Sequence, residues 1–532
     1  MSQDARQDEE ASTVRRAQIL NLQYADTSSG QKQLYPNLLT VEEMYRTRIV
    51  PLAADDHNIS FGVTNTTSQQ TMKQIRQRFL DQTLSFNLIS DTGYREYMKL
   101  YDPPKKIEYH DISLAQAKDQ AGVSKISDLL AQVRADDMLA YLVQQAHGLD
   151  ASDIHLESQR EFTRVRFRVD GVLHAVARLA PDKYRVLIAA IASAGNISTA
   201  SPDAQQGHIA QKIKMADGQQ VDVNVRLETV PTINGIDVVM RLFNMDQTMF
   251  SLERLGLSEA ERKVVDGIIS KPSGLVLAVG PTGSGKTTTL YSMLNSLNTE
   301  ERKIITIEDP VEYQFAGVTQ ISVTTQNSQE TNFADKLRAV LRLDPDIVMV
   351  GEIRDSDTAK TALQAALTGH LVLSTFHASS AAAALTRMMD VIGQNPLFVS
   401  AIRLVMAQRL VRRLDDQTKQ PYQPDQASLQ TIQKVIDGLP AGVAKPSIEG
   451  LTLYKPVSSP DNPFGFKGQL ALREQFTMKG KVAELLTEGQ KLTTQEIEQA
   501  AVESGMRTML QDGILKVVAG QTTLDEIYRV IG

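Results

Sequence analysis

Cysteine is absent from the 532-residue sequence. Its absence excludes disulfide bonds and any zinc site built on thiolate ligands. No uncharged apolar run approaches the roughly 20 residues that a membrane-spanning helix needs. The opening residues MSQDARQDEEAS are polar and acidic, so we expect no signal peptide. These absences favour a soluble cytoplasmic protein that would reach a membrane only through a partner.

An excess of positive charge is also missing, since the formal net charge is −7. This balance does not support a general surface for nucleic acid or anionic membranes, although it is compatible with a local basic patch. The length is sufficient for about three or four domains.

The most informative motif is GPTGSGKT at residues 280–287, which fits the phosphate-binding pattern G-x-x-x-x-G-K-[ST]. An apolar run before it predicts a buried strand, and the residues after it have helical spacing. Such a loop surrounds a phosphate with backbone N–H groups, and the following helix N-terminus favours the same charge. We expect Lys286 to contact the β- and γ-phosphates of ATP and Thr287 to bind Mg²⁺. The predicted nucleotide-binding residues are Gly280, Pro281, Thr282, Gly283, Ser284, Gly285, Lys286, Thr287 and Thr288.

Apolar segments alternate with helical patterns between residues 259 and 411. This alternation predicts an α/β fold, with a parallel sheet covered by helices on both faces. Ligands of such sheets bind at the C-terminal ends of the strands. The predicted strands are residues 275–279, 303–307, 347–350 and 371–375.

Acidic residues follow two of these strands. Glu352 is predicted to polarise the water that attacks ATP, although Gly351 stands where an Asp is usual in a Walker B element. Glu308 and Asp309 are predicted to contact Mg²⁺ through water or to orient the base. A surface glutamate and a capped turn before Pro310 are the respective structural alternatives.

Two histidines flank the predicted strand 371–375. His370 and His377 could sense the γ-phosphate or could be ordinary structural residues, and the spacing alone does not separate these roles.

Composition and pattern divide the whole chain into segments. Asp170-Gly171 predicts a hairpin turn, and Thr494 and Thr523 are candidate helix N-caps. The predicted segments are a mobile tail at 1–30, with a possible helix around 12–22 as the alternative, an α/β docking or regulatory domain at 31–103, a linker at 104–130, a second α/β domain at 131–245, a linker at 246–258, the ATPase core at 259–411, a loop-rich insertion at 412–475 and a helical region at 476–532.

Four segments, in order along the chain, indicate a particular ATPase family. GPTGSGKTTTLY, IITIEDPVEY, LRLDPDIVMVGEIRD and ALTGHLVLSTFH resemble the Walker A, Asp, Walker B and His boxes of the secretion ATPase family. ASDIHLE, VRFRVDGVL and RLETVPTINGIDVVMRL resemble its second N-terminal domain, and SGMRTMLQDGILKVVAGQTTLDEIYRV resembles its C-terminal end. The resemblance covers about residues 130–532. Residues 31–103 look like the extra N-terminal domain of assembly and export members, which retraction motors typically lack.

The resemblance implies a RecA-type P-loop core, a PAS-like α/β domain before it, and a hexamer with ATP between subunits or domains. Arg226 and Arg241 match arginines of the family's second domain, and Arg338 and Arg342 match those of its LRAxLRxDPD segment. Arginines that reach ATP only on domain closure couple hydrolysis to motion. Surface ion pairs of little energetic value are the alternative for each.

The sequence also departs from the family pattern. Where most assembly members have zinc-binding cysteines, this chain has Asp415, Thr418, Ser458 and Asp461, which are poor zinc ligands, so no zinc is expected. The family's QDGR segment ends here in His208, whose charge depends on protonation. Ala378-Ser379 replaces the usual Thr-Asn after the His box.

The resemblance favours a hexameric motor that assembles a type IV pilus-like filament through a polytopic membrane platform protein. It would act at the cytoplasmic face of the membrane, with residues 31–103 docking a cytoplasmic or inner-membrane partner. A type II secretion motor is the first alternative. A RecA-type nucleic-acid motor is disfavoured by the charge balance, and a non-hydrolysing scaffold by the presence of Glu352, Arg226 and Arg241.

Overall fold

A computed structural model describes residues 3–27, 32–55, 57–102, 112, 120–133, 135–214, 220–243, 250–323, 333–393, 400–459, 462, 464–487 and 492–532. The chain divides into two compact units, Met1–His110 and Asp111–Gly532. Within the described ranges, no helix has the length and apolar character needed to cross a membrane.

The N-terminal unit is a small α/β domain. Its four-stranded sheet has the order β1-β4-β3-β2, and only β2 runs antiparallel to its neighbour. Phe61 and Phe86 stack in its core with ring centroids 5.8 Å apart. Its elements are α1 (Gln3–Leu20), β1 (Gln23–Tyr24), α2 (Val41–Thr47), β2 (Ile49–Ala54), β3 (Asn58–Val63), α3 (Gln69–Arg78), β4 (Thr83–Leu88) and α4 (Asp91–Tyr101).

Helix α1 occupies most of the segment that was predicted to be a mobile tail. It contains neither glycine nor proline, so its sequence is compatible with a continuous helix. Ala17 is buried in the core of the unit, and the Glu10 carboxylate accepts a 2.7 Å hydrogen bond from the Ser90 hydroxyl. The tail prediction therefore failed for residues 3–20, because the contacts that anchor the helix come from residues distant in sequence.

The second unit begins with an antiparallel domain, which we define as α5 to β10. Its six-stranded sheet has the order β7-β6-β5-β10-β9-β8. Asp170 and Gly171 have φ values of 49° and 79° and form the predicted hairpin turn. The domain consists of α5 (Gln120–Gln132), α6 (Ala135–Gly148), β5 (Ala151–Ser158), β6 (Thr163–Val169), β7 (Val172–Leu179), α7 (Pro181–Gly195), β8 (Gln205–Lys214), β9 (Gln220–Thr232) and β10 (Gly235–Phe243).

Helix α5 lies in the segment that was predicted to be a linker. Its Ile126 and Leu130 are buried, and its Ser127 hydroxyl accepts a 2.8 Å hydrogen bond from the Arg178 N–H of β7. The antiparallel domain therefore starts before residue 131.

A parallel-sheet domain follows, which we define as α8 to α17. The sheet order is β13-β12-β14-β15-β11-β16-β19, and every pair is parallel except β16 with β19. The elements up to the central strands are α8 (Glu259–Ile269), β11 (Gly274–Val279), α9 (Lys286–Leu297), β12 (Ile304–Glu308), β13 (Thr319–Ser322), α10 (Phe333–Val340), β14 (Ile347–Val350), α11 (Ser356–Leu367) and β15 (Leu371–Phe376). The remaining elements are α12 (Ala381–Ile392), β16 (Ile402–Leu414), β17 (Gln420–Tyr422), α13 (Gln426–Asp437), β18 (Leu453–Lys455), β19 (Phe466–Phe476), α14 (Lys481–Thr487), α15 (Thr494–Glu503), α16 (Met509–Val518) and α17 (Leu524–Ile531).

The predicted α/β core is confirmed, since β11, β12, β14 and β15 match the predicted strands. Alternate residues of β11 belong to different apolar clusters. Leu275 and Leu277 pack with residues of α10 to α12, whereas Val276 and Ala278 pack with residues of α8 and α9. Helices therefore cover both faces of the sheet, and the strands read as continuous apolar runs for that reason.

Two predictions in the C-terminal part need correction. The segment 412–475 is not only loop, because β19 pairs with β16 over nine aligned positions and completes the sheet. The N-cap of α15 is Thr493 rather than Thr494. Thr523 caps α17 as predicted, and its hydroxyl accepts a hydrogen bond from the Glu526 N–H.

Candidate active site

The glycine-rich loop connects the end of β11 to the start of α9. Gly283 and Gly285 have φ values of 77° and 82°, a region that side chains disfavour. A Cβ on Gly280 would lie 2.4 Å from the Ser284 hydroxyl oxygen and 2.7 Å from the Gln408 carbonyl oxygen. The glycines are thus required by the local geometry, which is the geometry that a phosphate-binding turn needs.

Lys286 is the first residue of α9 and is buried. Its Nζ donates to the carbonyl oxygens of Gly280 and Pro281, at 2.9 and 2.8 Å. Burial lowers the pKa of the ammonium to about 8, while the Glu352 carboxylate acts in the opposite direction. Because two neutral carbonyls are poor counter-charges, a bound phosphate would stabilise this ammonium. Thr287 lies in the same first turn, half-buried, and Thr288 is exposed.

Glu352 lies just beyond the end of β14, on the same edge of the sheet as the loop. It forms an ion pair with Arg354, and its Oε2 lies 3.6 Å from Nε2 of His377. Burial lowers the pKa of His377, and the nearby Lys286 charge adds to the effect. A cavity of about 240 Å³ opens beside Glu352 and His377. The structure therefore brings the predicted water-polarising carboxylate and one predicted histidine together.

Gly351, the residue before Glu352, lies close to strand β12. A Cβ on Gly351 would lie 3.2 Å from the Ile307 carbonyl oxygen and 3.4 Å from the Glu308 Cα. An aspartate at this position would therefore require β12 to shift by a few tenths of an ångström.

Glu308 ends β12 and is buried among protein donors. It accepts hydrogen bonds from the hydroxyls of Tyr291 and Thr306, and from Nε2 of Gln320 at 3.1 Å. Both carboxylate oxygens are engaged, so this geometry fits a residue that orients its neighbours better than a metal ligand. Asp309, next in the chain, is exposed and acts electrostatically on Arg354.

Glu312 lies in the IITIEDPVEY segment, and no role was predicted for it. Burial raises its pKa, and the Glu308 charge raises it further. The charges of Arg241, Arg226 and Lys286 act in the opposite direction, so all three cations lie within electrostatic reach of this carboxylate. The Glu312 carboxylate is therefore electrostatically coupled both to arginines of the antiparallel domain and to the lysine of the phosphate loop.

Arg226 and Arg241 lie directly opposite each other on strands β9 and β10. Like charges in such a pair destabilise a sheet unless anions compensate them. Arg241 Nε lies 3.2 Å from a carboxylate oxygen of the buried Asp153, and Arg226 lies 3.4 Å from Glu228. The structure thus places both predicted arginines on one face of the sheet, within electrostatic reach of Glu312.

Other predicted residues lie elsewhere. His370 precedes β15 and its Nδ1 is 3.1 Å from the Ala365 carbonyl oxygen. The start of β15 is level with the start of β11, so His370 is about 20 Å from the loop, at about 3.3 Å per residue along the strand. Phosphate sensing by His370 within this chain is therefore excluded by the direction of the strand. Arg338 pairs with Asp335 at 2.8 Å on an exposed helix face, and Arg342 is exposed in the 3₁₀ turn Leu341–Leu343.

The segment around Asp415 and Asn462 is closed by hydrogen bonds. Asp415 accepts a 2.7 Å bond from Nδ2 of Asn462, whose Oδ1 accepts a bond from the Gly465 N–H at 3.1 Å. Asp461 lies outside the described residues. In the described part of the chain, no cluster of three or more His, Asp or Glu side chains could hold a metal ion. These side chains do not fit zinc.

A glycine loop between strand and helix, with a carboxylate at the end of a neighbouring parallel strand, defines a P-loop nucleoside triphosphatase. Residues 132–529 match the family described as Type II/IV secretion system protein, and the chain belongs to this family. It is therefore an ATP-hydrolysing enzyme of the secretion and pilus ATPase group.

Known relatives extend this assignment. Type II secretion system protein E of Xanthomonas campestris is 37% identical over 411 residues, which cover 77% of this chain and 69% of that protein. Type IV pilus assembly ATPase TfpB of Acinetobacter baylyi is 32% identical over 523 residues, which cover 96% of this chain and 86% of that protein. Among solved structures, the ATPase DotB of Legionella pneumophila matches with a TM-score of 0.55 and 22% identity, over 75% of this chain and 96% of that one. The similarity to DotB supports the fold assignment alone.

Proposed function

We propose that the protein is the motor ATPase that assembles a type IV pilus-like filament. The observation that carries this proposal is the extent of the similarity to the pilus assembly ATPase of A. baylyi, which covers 96% of the chain. An alignment of that extent must include much of the N-terminal unit, which precedes the family match at residues 132–529. The N-terminal unit would dock a cytoplasmic or inner-membrane partner.

In the proposed reaction, Lys286 leaves the two loop carbonyls and contacts the β- and γ-phosphates of ATP. Thr287 would hold Mg²⁺, which would supply positive charge to neutralise the charge that develops on the phosphates. Glu352 exchanges Arg354 for the attacking water and orients it for in-line attack. Arg226 and Arg241 supply positive charge when the antiparallel domain closes, a contribution that typically accelerates phosphoryl transfer about 10³- to 10⁵-fold.

Coupling to movement would follow from the same geometry. Because the arginines belong to one domain and the phosphate loop to another, hydrolysis and product release would alternately favour closed and open arrangements. We propose that six copies form a ring, that the antiparallel domain is PAS-like, and that the exposed Arg338 and Arg342 act between copies. Movement would be passed to a polytopic platform protein at the cytoplasmic face of the membrane.

A type II secretion motor is the second candidate. It is favoured by the X. campestris relative, which is more similar in sequence, 37% identical, over a shorter part of the chain. The two candidates share the site chemistry and differ in what the motor drives.

An experiment in cells separates them. The native protein is replaced by Glu352→Gln, and in parallel by Glu449→Gln, an exposed glutamate in the loop before β18. Both variants must accumulate and bind ATP. Loss of surface filaments with normal export, in Glu352→Gln alone, supports pilus assembly. Loss of export with normal filaments supports the secretion motor, and no change in either rejects both.

A further inference from the structure

Gln408 is a buried polar residue behind the phosphate loop that the proposed mechanism does not use. It lies on β16, the strand that pairs with β11 on the side away from β15. The preceding residue, Ala407, is aligned with Val279, so Gln408 is level with the start of the loop. Its relative exposure is 1%.

Both ends of the Gln408 amide are used. Nε2 donates to the Ser284 carbonyl oxygen at 2.6 Å, and Oε1 accepts from the Thr289 hydroxyl at 2.9 Å. One side chain thus connects the loop to the first turn of α9. A buried amide with both ends satisfied is rigid, because every alternative orientation leaves a polar group unpaired.

The backbone of Gln408 also contacts the loop. Its carbonyl oxygen lies 2.7 Å from the position that a Cβ on Gly280 would occupy. Its Nε2 lies 3.1 Å from the corresponding position on Gly285. Gln408 therefore packs against both ends of the glycine-rich segment, and the two glycines permit that approach.

Packing alone does not require glutamine here. The neighbours of Gln408 on the same face of β16, Met406 and Leu410, are apolar, so a leucine could also be buried at this position. Arg409 follows on the opposite face, and Arg473 is aligned with Gln408 on β19. A leucine would leave the Ser284 carbonyl and the Thr289 hydroxyl without these partners, and a glutamate would place a carboxylate oxygen against the Ser284 carbonyl. The amide is the group that satisfies both.

We propose that Gln408 is a positioning residue that fixes the phosphate loop in its binding conformation before ATP arrives. Holding the Ser284 carbonyl fixes the peptide that follows it, and with it the N–H groups that surround the phosphates. The next residue, Arg409, donates to the Ser379 carbonyl oxygen at 2.8 Å, so the same strand also holds the segment after His377. The inference rests on the proposed ATP hydrolysis at this loop and not on which machine the motor drives.

The loop in this conformation would bind the phosphates equally in the ground state and in the transition state. Loss of this conformation should therefore weaken ATP binding more than it slows the bound chemistry. Gln408→Glu would remove one or two buried hydrogen bonds. We therefore predict that its Kd and KM for ATP rise about ten- to a hundredfold, while kcat changes less than about threefold.

A matched control exists in α16. Gln511 is also buried and its Nε2 donates to the Gly438 carbonyl oxygen at 2.7 Å, away from the loop. Gln511→Glu should lower the melting temperature without changing KM. Thr289→Val should raise KM while Thr289→Ser should retain wild-type KM, which gives a readout if Gln408→Glu does not fold.

The measurements are ATP binding by calorimetry and steady-state hydrolysis on the full-length protein. The inference is supported if KM rises in Gln408→Glu and Thr289→Val but not in Gln511→Glu or Thr289→Ser. Wild-type KM in Gln408→Glu, or in Thr289→Val if the former does not fold, overturns it. Failure of the unaltered protein to bind ATP overturns the proposed function and this inference together, whereas normal binding with unaffected variants overturns the inference alone.

Discussion

Lys286 carries its charge in an environment that disfavours it. Its relative exposure is 8%, and its ammonium contacts two neutral carbonyls, those of Gly280 and Pro281. Burial lowers its pKa to about 8, although the Glu352 carboxylate partly opposes this effect. A triphosphate brings full negative charge to the ammonium, so ATP should bind the protonated lysine and raise its pKa again.

The size of the effect follows from the pKa. An ordinary lysine has a pKa of about 10.4, so the empty loop disfavours the ammonium by roughly 3 kcal/mol at 1.36 kcal/mol per unit. Below a pH of about 8 the lysine is already protonated, so the ATP affinity should not depend on pH. Above it, binding requires proton uptake, so Kd should rise about tenfold per pH unit until the pKa of the bound state is reached. The lowered pKa also affects folding stability. Burial of the charged lysine destabilises the folded protein at low pH, and this cost disappears as the pH rises from about 8 to about 10.4.

The assay is calorimetric titration with ATP from about pH 7 to about pH 9.5, in two buffers of different ionisation enthalpy, which yields Kd and proton uptake together. Lys286→Arg is the control, because a guanidinium stays charged across this range. His377 does not interfere, since burial lowers its pKa below the ordinary histidine value. A Kd that does not change with pH and shows no proton uptake in the wild type would contradict this prediction, as would an equal pH dependence in Lys286→Arg.

Three further predictions concern other parts of the molecule. Arg241→Gln should reduce kcat at least about a hundredfold with a smaller change in KM, because its charge is needed mainly in the transition state; steady-state kinetics measure this. Glu526→Gln should lower unfolding stability by about 1–3 kcal/mol near neutral pH, measured by urea titration, because burial opposes ionisation but hydrogen bonds from Arg529 and Arg412 lower the pKa of Glu526 to about 2. Asn462→Ala should destabilise the protein by about 1–3 kcal/mol in thermal unfolding, while a chelator should leave the wild-type melting temperature unchanged.

Control variants and the pH dependence separate these effects from general destabilisation. Arg178→Gln, an exposed arginine of the same domain, should keep wild-type kcat; equal losses in both arginine variants would reject the charge argument. The stability difference caused by Glu526→Gln should shrink as pH falls from about 4.3 towards about 2, since a lowered carboxyl pKa stabilises only above that interval. If the stability difference between the wild type and Glu526→Gln did not depend on pH, its cause would be packing and not the charge of Glu526. A melting temperature lowered by the chelator would show that a metal holds the Asn462 segment.

Features with local signals were predicted well from the sequence. The phosphate loop, the strand before it and the helix after it are contiguous, and the glycine positions follow from backbone conformation at those same residues. Glu352 was predicted because parallel strands place their C-terminal ends together, so its distance from the loop in sequence is immaterial. The hairpin turn at Asp170-Gly171 was predicted for the same local reason.

Features that depend on distant contacts were missed. A mobile tail was preferred to a helix around residues 12–22, because helix α1 is polar and is anchored by contacts such as that of Glu10 with Ser90, 80 positions away. Strand β19 lies in a polar segment, and it forms by pairing with the edge of strand β16. His370 and His377 are equivalent by spacing, and only the direction of β15 separates them. Gln408 carries no motif, because its role comes from a neighbouring strand meeting the loop.

The proposed catalytic role of Glu352 is to activate water for ATP hydrolysis at the 280–287 loop. The most direct test compares purified wild-type protein with Glu352→Gln in a phosphate-release assay, with ATP binding measured on the same samples. We predict that both bind ATP, that the wild type turns it over, and that the variant is slower by at least about a hundredfold. Wild-type turnover in Glu352→Gln, or no turnover by the wild type, would contradict the account.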